Sequence, residues 1–149
     1  MTIRIPLLFA AVSLVLVSCT NRPYTRYHSL PEQGWHCDSI LCFDVPVRDT
    51  TDAYDLQLHI RHTDRYAYQN IWFFVQSDHR DTVEAMLADY RGQWLSAHSG
   101  RYYNGYVRLA DSIYLHCDTL HVTVQHGMRD TVIYGISEIG IALIDHGKK

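Results

Sequence analysis

The sequence predicts an all-β domain, a single sandwich of two sheets, on three observations. Apolar residues recur with period two in several short segments, as in strands with one buried face. Turn-forming clusters of Gly, Asp, Asn, Ser and Pro separate those segments. No amphipathic helical period occurs after the N-terminal segment. The Cys–Trp–Cys spacing of immunoglobulin domains is missing, so of the two sandwich connectivities, jelly-roll-like or immunoglobulin-like, the pattern leans toward the first.

The chain opens with a positive residue, Arg4, an apolar run over residues 7–17, and then Ser18 and Cys19. These are the parts of a secretory signal, whose apolar core is too short for a permanent membrane span. Leu16-Val17-Ser18-Cys19 resembles the lipobox of bacterial lipoproteins. That resemblance implies removal of residues 1–18 and acylation of the Cys19 thiol. Residues 19–33 are polar, carry Pro23 and Pro31, and lack an apolar period, which predicts a flexible tether. The lack of an acidic run after Cys19 favours a periplasmic face, on the outer membrane, over surface export. The sandwich domain is then expected over residues 34–146.

In residues 40–47, Leu41, Phe43, Val45 and Val47 share one face, and Pro46 restricts this strand to an edge or an end. In residues 54–61, Tyr54, Leu56, Leu58 and Ile60 alternate with Asp55, Gln57, His59 and Arg61, the cleanest amphipathic strand in the chain. Residues 70–76 (NIWFFVQ) are apolar almost throughout, which predicts a strand buried on both faces. Residues 81–88 alternate more briefly, at Val83, Ala85 and Leu87, which fits a further strand or a helical turn. Residues 89–105 (DYRGQWLSAHSGRYYNG) break the rhythm and predict a long loop, followed by short apolar pieces at 106–109 and 113–115. Leu120, Val122 and Val124 mark another strand. A bent connector over 127–137 turns at Gly127 and Gly135, and Ile139, Ile141 and Leu143 mark the last strand.

The chain carries 13 Lys+Arg against 16 Asp+Glu, a formal charge of −3. Only Arg4 among the basic residues lies in the signal, so the remainder is more acidic still. That balance gives no reason to expect a nucleic-acid partner. Eleven tyrosines against four phenylalanines supply apolar area with polar tips, which suits both interfaces and strand surfaces. Beyond Cys19, the cysteines Cys37, Cys42 and Cys117 lack zinc-site spacing and are expected as buried or partly buried free thiols, although Cys42 and Cys117 both lie near strand patterns.

No nucleophile elbow, phosphate loop or H-E-x-x-H motif occurs. Adjacent His98 and Ser99 do not make a triad, whose members must meet in space. His59 and His121 fall on the polar phase of two strands; were those strands paired, the two rings would share a face with His62 or His116. A metal site needs a third ligand and supporting bonds, so solvated histidines are the simpler reading. No catalytic residue, metal or cofactor is assigned. Two groups suit recognition. Trp94, Tyr102, Tyr103 and Tyr106 gather in the Gly-rich stretch, either exposed for binding or folded back on the core. Arg129, in Gly127-Met128-Arg129-Asp130, either binds or pairs with Asp130 across a turn.

Taken in order, Tyr27-His28-Ser29, Gly34-Trp35, Phe43-Asp44-Val45-Pro46-Val47, Tyr54-Asp55-Leu56, residues 70–75, Gly92-Gln93-Trp94-Leu95, Gly127-Met128-Arg129-Asp130, Gly135-Ile136 and Ile139-Gly140-Ile141 closely resemble the GldH family of gliding motility lipoproteins of Bacteroidota. The resemblance runs from about Tyr27 to Ile144. It implies a non-enzymatic accessory protein of the cell envelope, contacting other envelope proteins of the gliding and type IX secretion machinery and held to a membrane through Cys19. A carbohydrate- or peptidoglycan-binding sandwich using the same aromatic residues is the alternative.

Overall fold

A computed structural model describes residues 23–146; the signal segment and Cys19 lie outside the described residues. Eleven strands form: β1 (Tyr24–Ser29), β2 (Trp35–His36), β3 (Leu41–Pro46), β4 (Ala53–Thr63), β5 (Asn70–Gln76), β6 (Arg80–Met86), β7 (Ala97–Ser99), β8 (Tyr102–Tyr114), β9 (Thr119–His126), β10 (Val132–Ile133) and β11 (Ile136–Asp145). They make a five-stranded sheet ordered β1-β11-β4-β8-β7, a four-stranded sheet ordered β3-β9-β5-β6, and a two-stranded clip of β10 and β2. Among the described residues, no helix is long and apolar enough to cross a membrane.

The pairing of the eight principal strands is nested and antiparallel. β1 pairs with β11, β3 with β9, β4 with β8, and β5 with β6. The chain is thus one long folded-over hairpin wrapped around a core, the jelly-roll connectivity. The inner faces bring Leu56, Leu58, Ile60, Ile139 and Ile141 against Phe43, Val45, Ile71, Phe73, Val122 and Val124, all buried. β1 is tied across to β3 by side chains: the Tyr24 hydroxyl donates to the Asp44 carbonyl at 3.2 Å, and the His28 ring meets Phe43 edge-on at 4.7 Å.

Several expectations are corrected. Residues 24–29, placed in the tether, form β1; edge-strand pairing uses backbone groups and needs few apolar side chains. β5 is buried on one face only. Ile71, Phe73 and Val75 point inward while Trp72 and Phe74 face out, 37% and 36% exposed, because the four-stranded sheet has a solvent side. The long loop is shorter than expected: β7 and β8 form a hairpin through Gly100-Arg101, with Gly100 at φ +60° where a tight type II′ turn needs it. The pieces at 106–109 and 113–114 are one strand, β8, which ends before Leu115 and whose register with β4 shifts twice near Leu56, with Ser112 at φ +50°. Cys42 and Cys117 are exposed free thiols, not buried or paired; Cys37 is half-buried. Pro46 ends β3, an edge strand, as its missing N–H requires.

Candidate functional site

The outward face of the five-stranded sheet is built from residues far apart in sequence. Register places Tyr27 (β1), Gly140 (β11), His59 (β4) and Tyr106 (β8) in one row across it. Gly140 is a requirement of that row: a Cβ there would stand 2.5 Å from two Tyr27 ring carbons. The Tyr27 ring therefore lies flat over the backbone of β11 and reaches His59. The Gln57 side-chain oxygen can only accept, so the His59 Nε2–H donates to it at 3.1 Å. His59 Nδ1 is then the acceptor for the Tyr27 hydroxyl, at 3.1 Å. Burial holds the His59 pKa below its ordinary value. Tyr106 packs its ring 5.8 Å from His59 and remains 61% exposed.

The next row is polar. Arg61 on β4 pairs with Glu138 on β11 at 2.6 Å and donates through Nε to Asn104 on β8 at 2.7 Å. Its guanidinium also lies 5.8 Å from the centre of the Tyr27 ring. Beyond this row, Thr63 pairs with Tyr102, and a cleft of about 310 Å³ opens at the end of the sheet. Leu30, Glu32, Arg65, Arg101, Tyr102 and Glu138 are among its walls.

The five recognition candidates of the sequence part company here. Tyr102 and Tyr106 point out from the sheet. Tyr103 stacks inward on His62, ring centres 5.3 Å apart and nearly parallel, and Trp94 meets His62 edge-on at 4.6 Å. The folded-back arrangement therefore describes Trp94 and Tyr103, both half-buried. Arg129 stands exposed beside the other sheet, at a cavity of about 490 Å³ lined by Tyr68, Asn70, Trp72, Met128 and Asp130. Asp130 accepts from the Tyr68 hydroxyl rather than pairing with Arg129, and Met128 sulfur accepts the Trp72 N–H at 3.3 Å. Sequence reasoning missed Tyr27, His59, Arg61 and Gly140 as a set. The polar phase of residues 54–61 announced His59 and Arg61 as outward-facing, but Tyr27 was hidden in an expected tether.

His59 and His121 do not share a face, since β4 and β9 belong to different sheets; His121 instead meets Asp44 at 2.6 Å. Among the described residues, two groups bring metal-capable atoms within 4.8 Å of one another, His36-Cys37-Asp38 and Asp55-Asp111-His146. In the second, ordinary bonds already occupy the atoms: Asp55 accepts the Ser112 N–H at 2.9 Å and meets His146 at 2.8 Å, while Arg108 holds Asp111 at 3.3 Å. The Ser112 N–H is also the main reason the Asp55 pKa lies below its ordinary value.

Two histidines are structural. His62 and His126 are fully buried, each donating one ring N–H to a carbonyl, of Thr63 at 3.2 Å and of Trp35 at 3.1 Å. Their other nitrogens, His62 Nε2 and His126 Nδ1, meet no hydrogen-bond partner among the described residues. Burial depresses both pKa values. As pH falls through about 6.5, the unfolded chain takes up these protons while the folded chain resists. Stability is therefore expected to be full above about pH 7 and to drop below it, by up to about 1.4 kcal/mol per pH unit for each buried histidine until its depressed pKa is reached. Urea denaturation at pH 7.5 and 5.5 checks this; an unchanged midpoint contradicts it.

Comparison with known proteins comes to the same family as the motifs. The model of the family described as GldH lipoprotein matches residues 22–143. The chain is 33% identical over 90 residues to the gliding motility lipoprotein GldH of Flavobacterium johnsoniae, covering 56% of this chain and 55% of that protein. It is 30% identical over 95 residues to a protein of Christiangramia forsetii named a GldH homolog, covering 59% and 57%. The chain thus spans little more than half the length of these curated relatives. No solved structure matches it.

Proposed function

The chain belongs to the GldH lipoprotein family, and from that membership we propose that it is a membrane-anchored, non-enzymatic accessory protein of the gliding machinery, linked to type IX secretion and acting through protein contacts. The observation that carries the contact reading is the outward face of the five-stranded sheet. Tyr27, His59, Tyr106 and Arg61 are held there by mutual bonds and ring contacts before any partner arrives. Tyrosine and arginine dominate the energetics of protein interfaces, and pre-ordered side chains lose little entropy on binding.

The anchor in this reading is Cys19. Only residues 20–23 separate it from β1, a reach of about 17 Å at full extension, so the Tyr24 end of the sandwich stays close to the bilayer. A single acyl chain binds marginally, whereas several chains hold the protein permanently. Cys19→Ala is expected to move the protein from the membrane to the soluble envelope fraction, read by fractionation and immunoblot; a variant that stays in the membrane pellet contradicts the assignment.

A second reading has its own observation. The cavity beside Trp72 combines an exposed indole with Asn70, Tyr68 and Asp130, an aromatic platform with polar groups of the sort that holds sugars. Affinity capture from the native envelope after mild crosslinking separates the two. Gliding or type IX secretion components recovered with the wild type, and lost with Tyr106→Ala, support the protein-contact reading. Glycan or peptidoglycan captured in their place supports the second and sinks the first.

A further inference from the structure

Three arginines converge on the cleft at the end of the five-stranded sheet, and they are not equivalent. Arg61 already pairs with Glu138 and donates to Asn104. Arg65 and Arg101 also border the cleft, yet among the described residues neither has a carboxylate partner. Arg65 and Arg101 thus bring two such guanidinium groups to the border of one cleft. Both sit on stiff supports. Arg65 lies in the turn after β4, where Gly135 (φ +88°) approaches so closely that a Cβ would stand 2.3 Å from the Tyr66 nitrogen. Arg101 lies in the tight hairpin after Gly100, with its guanidinium carbon 5.3 Å from the centre of the Tyr102 ring.

We propose that this cleft binds a carboxylate, the side chain of an acidic segment of the partner protein, between Arg65 and Arg101. The proposal rests on the reading of the chain as a protein-binding lipoprotein and adds the chemistry of what it holds. A planar guanidinium fork matches a carboxylate through paired, charge-assisted hydrogen bonds. Leu30 and Ile136 in the same wall accommodate the methylenes of a glutamate. Glu32 and Glu138 also line the cleft, and their charges oppose a phosphate dianion more than a carboxylate monoanion. β1 runs about 17–20 Å from its Tyr24 end to its Ser29 end, so the cleft beside Ser29 lies at the end of the strand farther from the proposed anchor. That placement suits a protein segment better than a lipid headgroup of the same bilayer.

The test uses the acylated protein in detergent with its arginine side chains labelled with ¹⁵N. The probes are a capped Gly-Gly-Glu-Gly-Gly peptide, the same peptide with glutamine in the centre, and inorganic phosphate. The glutamate peptide is expected to shift the Nε–H signals of Arg65 and Arg101 saturably, the glutamine peptide not at all. Arg65→Gln and Arg101→Gln, both at exposed positions, are each expected to weaken binding about tenfold. Absence of a saturable shift, equal shifts with both peptides, or tighter binding of phosphate overturns the proposal. Envelope capture distinguishes its failure from that of the wider reading. A partner recovered equally by the wild type and by the Arg65→Gln/Arg101→Gln double variant overturns the cleft alone, whereas no protein partner for the wild type overturns the accessory role and leaves the peptide titration to decide the cleft.

Discussion

Trp35→Ala is expected to remove about 4 kcal/mol of folding stability and to lower the melting temperature by roughly 15 °C. Trp35 lies on β2, outside the eight principal strands, yet it is 1% exposed. Its indole meets the His126 ring edge-on at 5.2 Å and packs 6.3 Å from Phe73, at the heart of the four-stranded sheet. The indole N–H donates to the Ser39 carbonyl at 2.9 Å, so the side chain is satisfied as well as buried. Truncation leaves a large void against two aromatic rings and frees the backbone whose carbonyl receives the His126 N–H. Trp72→Ala is the informative control. Trp72 is the same residue type on β5 but faces solvent, and its truncation is expected to change stability by less than about 1 kcal/mol. Equal losses for the two variants in urea denaturation would show that the two sheets do not pack as described.

Gly135→Ala carries the second large effect, about 3 kcal/mol. At φ +88° an L side chain is strained, and here the added carbon also meets backbone: the Arg65 carbonyl carbon at 2.7 Å and the Tyr66 Cα at 2.7 Å. Neither can swing aside as a side-chain tip would. The connector between β10 and β11 would have to retreat, weakening the Thr63 N–H bond to the Gly135 carbonyl, now 2.8 Å. Gly92→Ala and Gly100→Ala isolate the conformational part. Both glycines have positive φ, but a Cβ at either meets nothing within 4 Å, so each is expected to lose about 1 kcal/mol. If Gly135→Ala proves no worse than these two in thermal denaturation, the close approach beneath Arg65 is not rigid.

The legible parts of the fold share one physical property: a sheet with a wet side and a dry side. β4, β9 and β11 bury the apolar phases read from 54–61, 120–124 and 139–143, because a one-residue slip would turn every side chain to the wrong face. β5 misled for the converse reason. Its outward positions carry Trp72 and Phe74, so composition hid an alternation that the structure restores. β1 left almost no signal, since an edge strand can be secured by backbone bonds to β11 and by two side chains reaching across to β3. Residues 110–112 separate two short apolar pieces in the sequence, and the structure has there a pair of register shifts inside β8.

By itself, the sequence determined the all-β class, the phase of the strongest strands, the restriction of the Pro46 strand to an edge or an end and, through its motifs, the GldH family. Those properties live in side chains, and side chains are written in the sequence. Tertiary structure alone decided that the first strand pairs with the last and so on inward, because backbone hydrogen bonds between distant segments carry no residue signature. That nesting sets Tyr27, His59, Tyr106 and Gly140 in one row. It also turns two of the candidate aromatic residues, Tyr102 and Tyr106, outward, and two, Trp94 and Tyr103, onto a buried histidine.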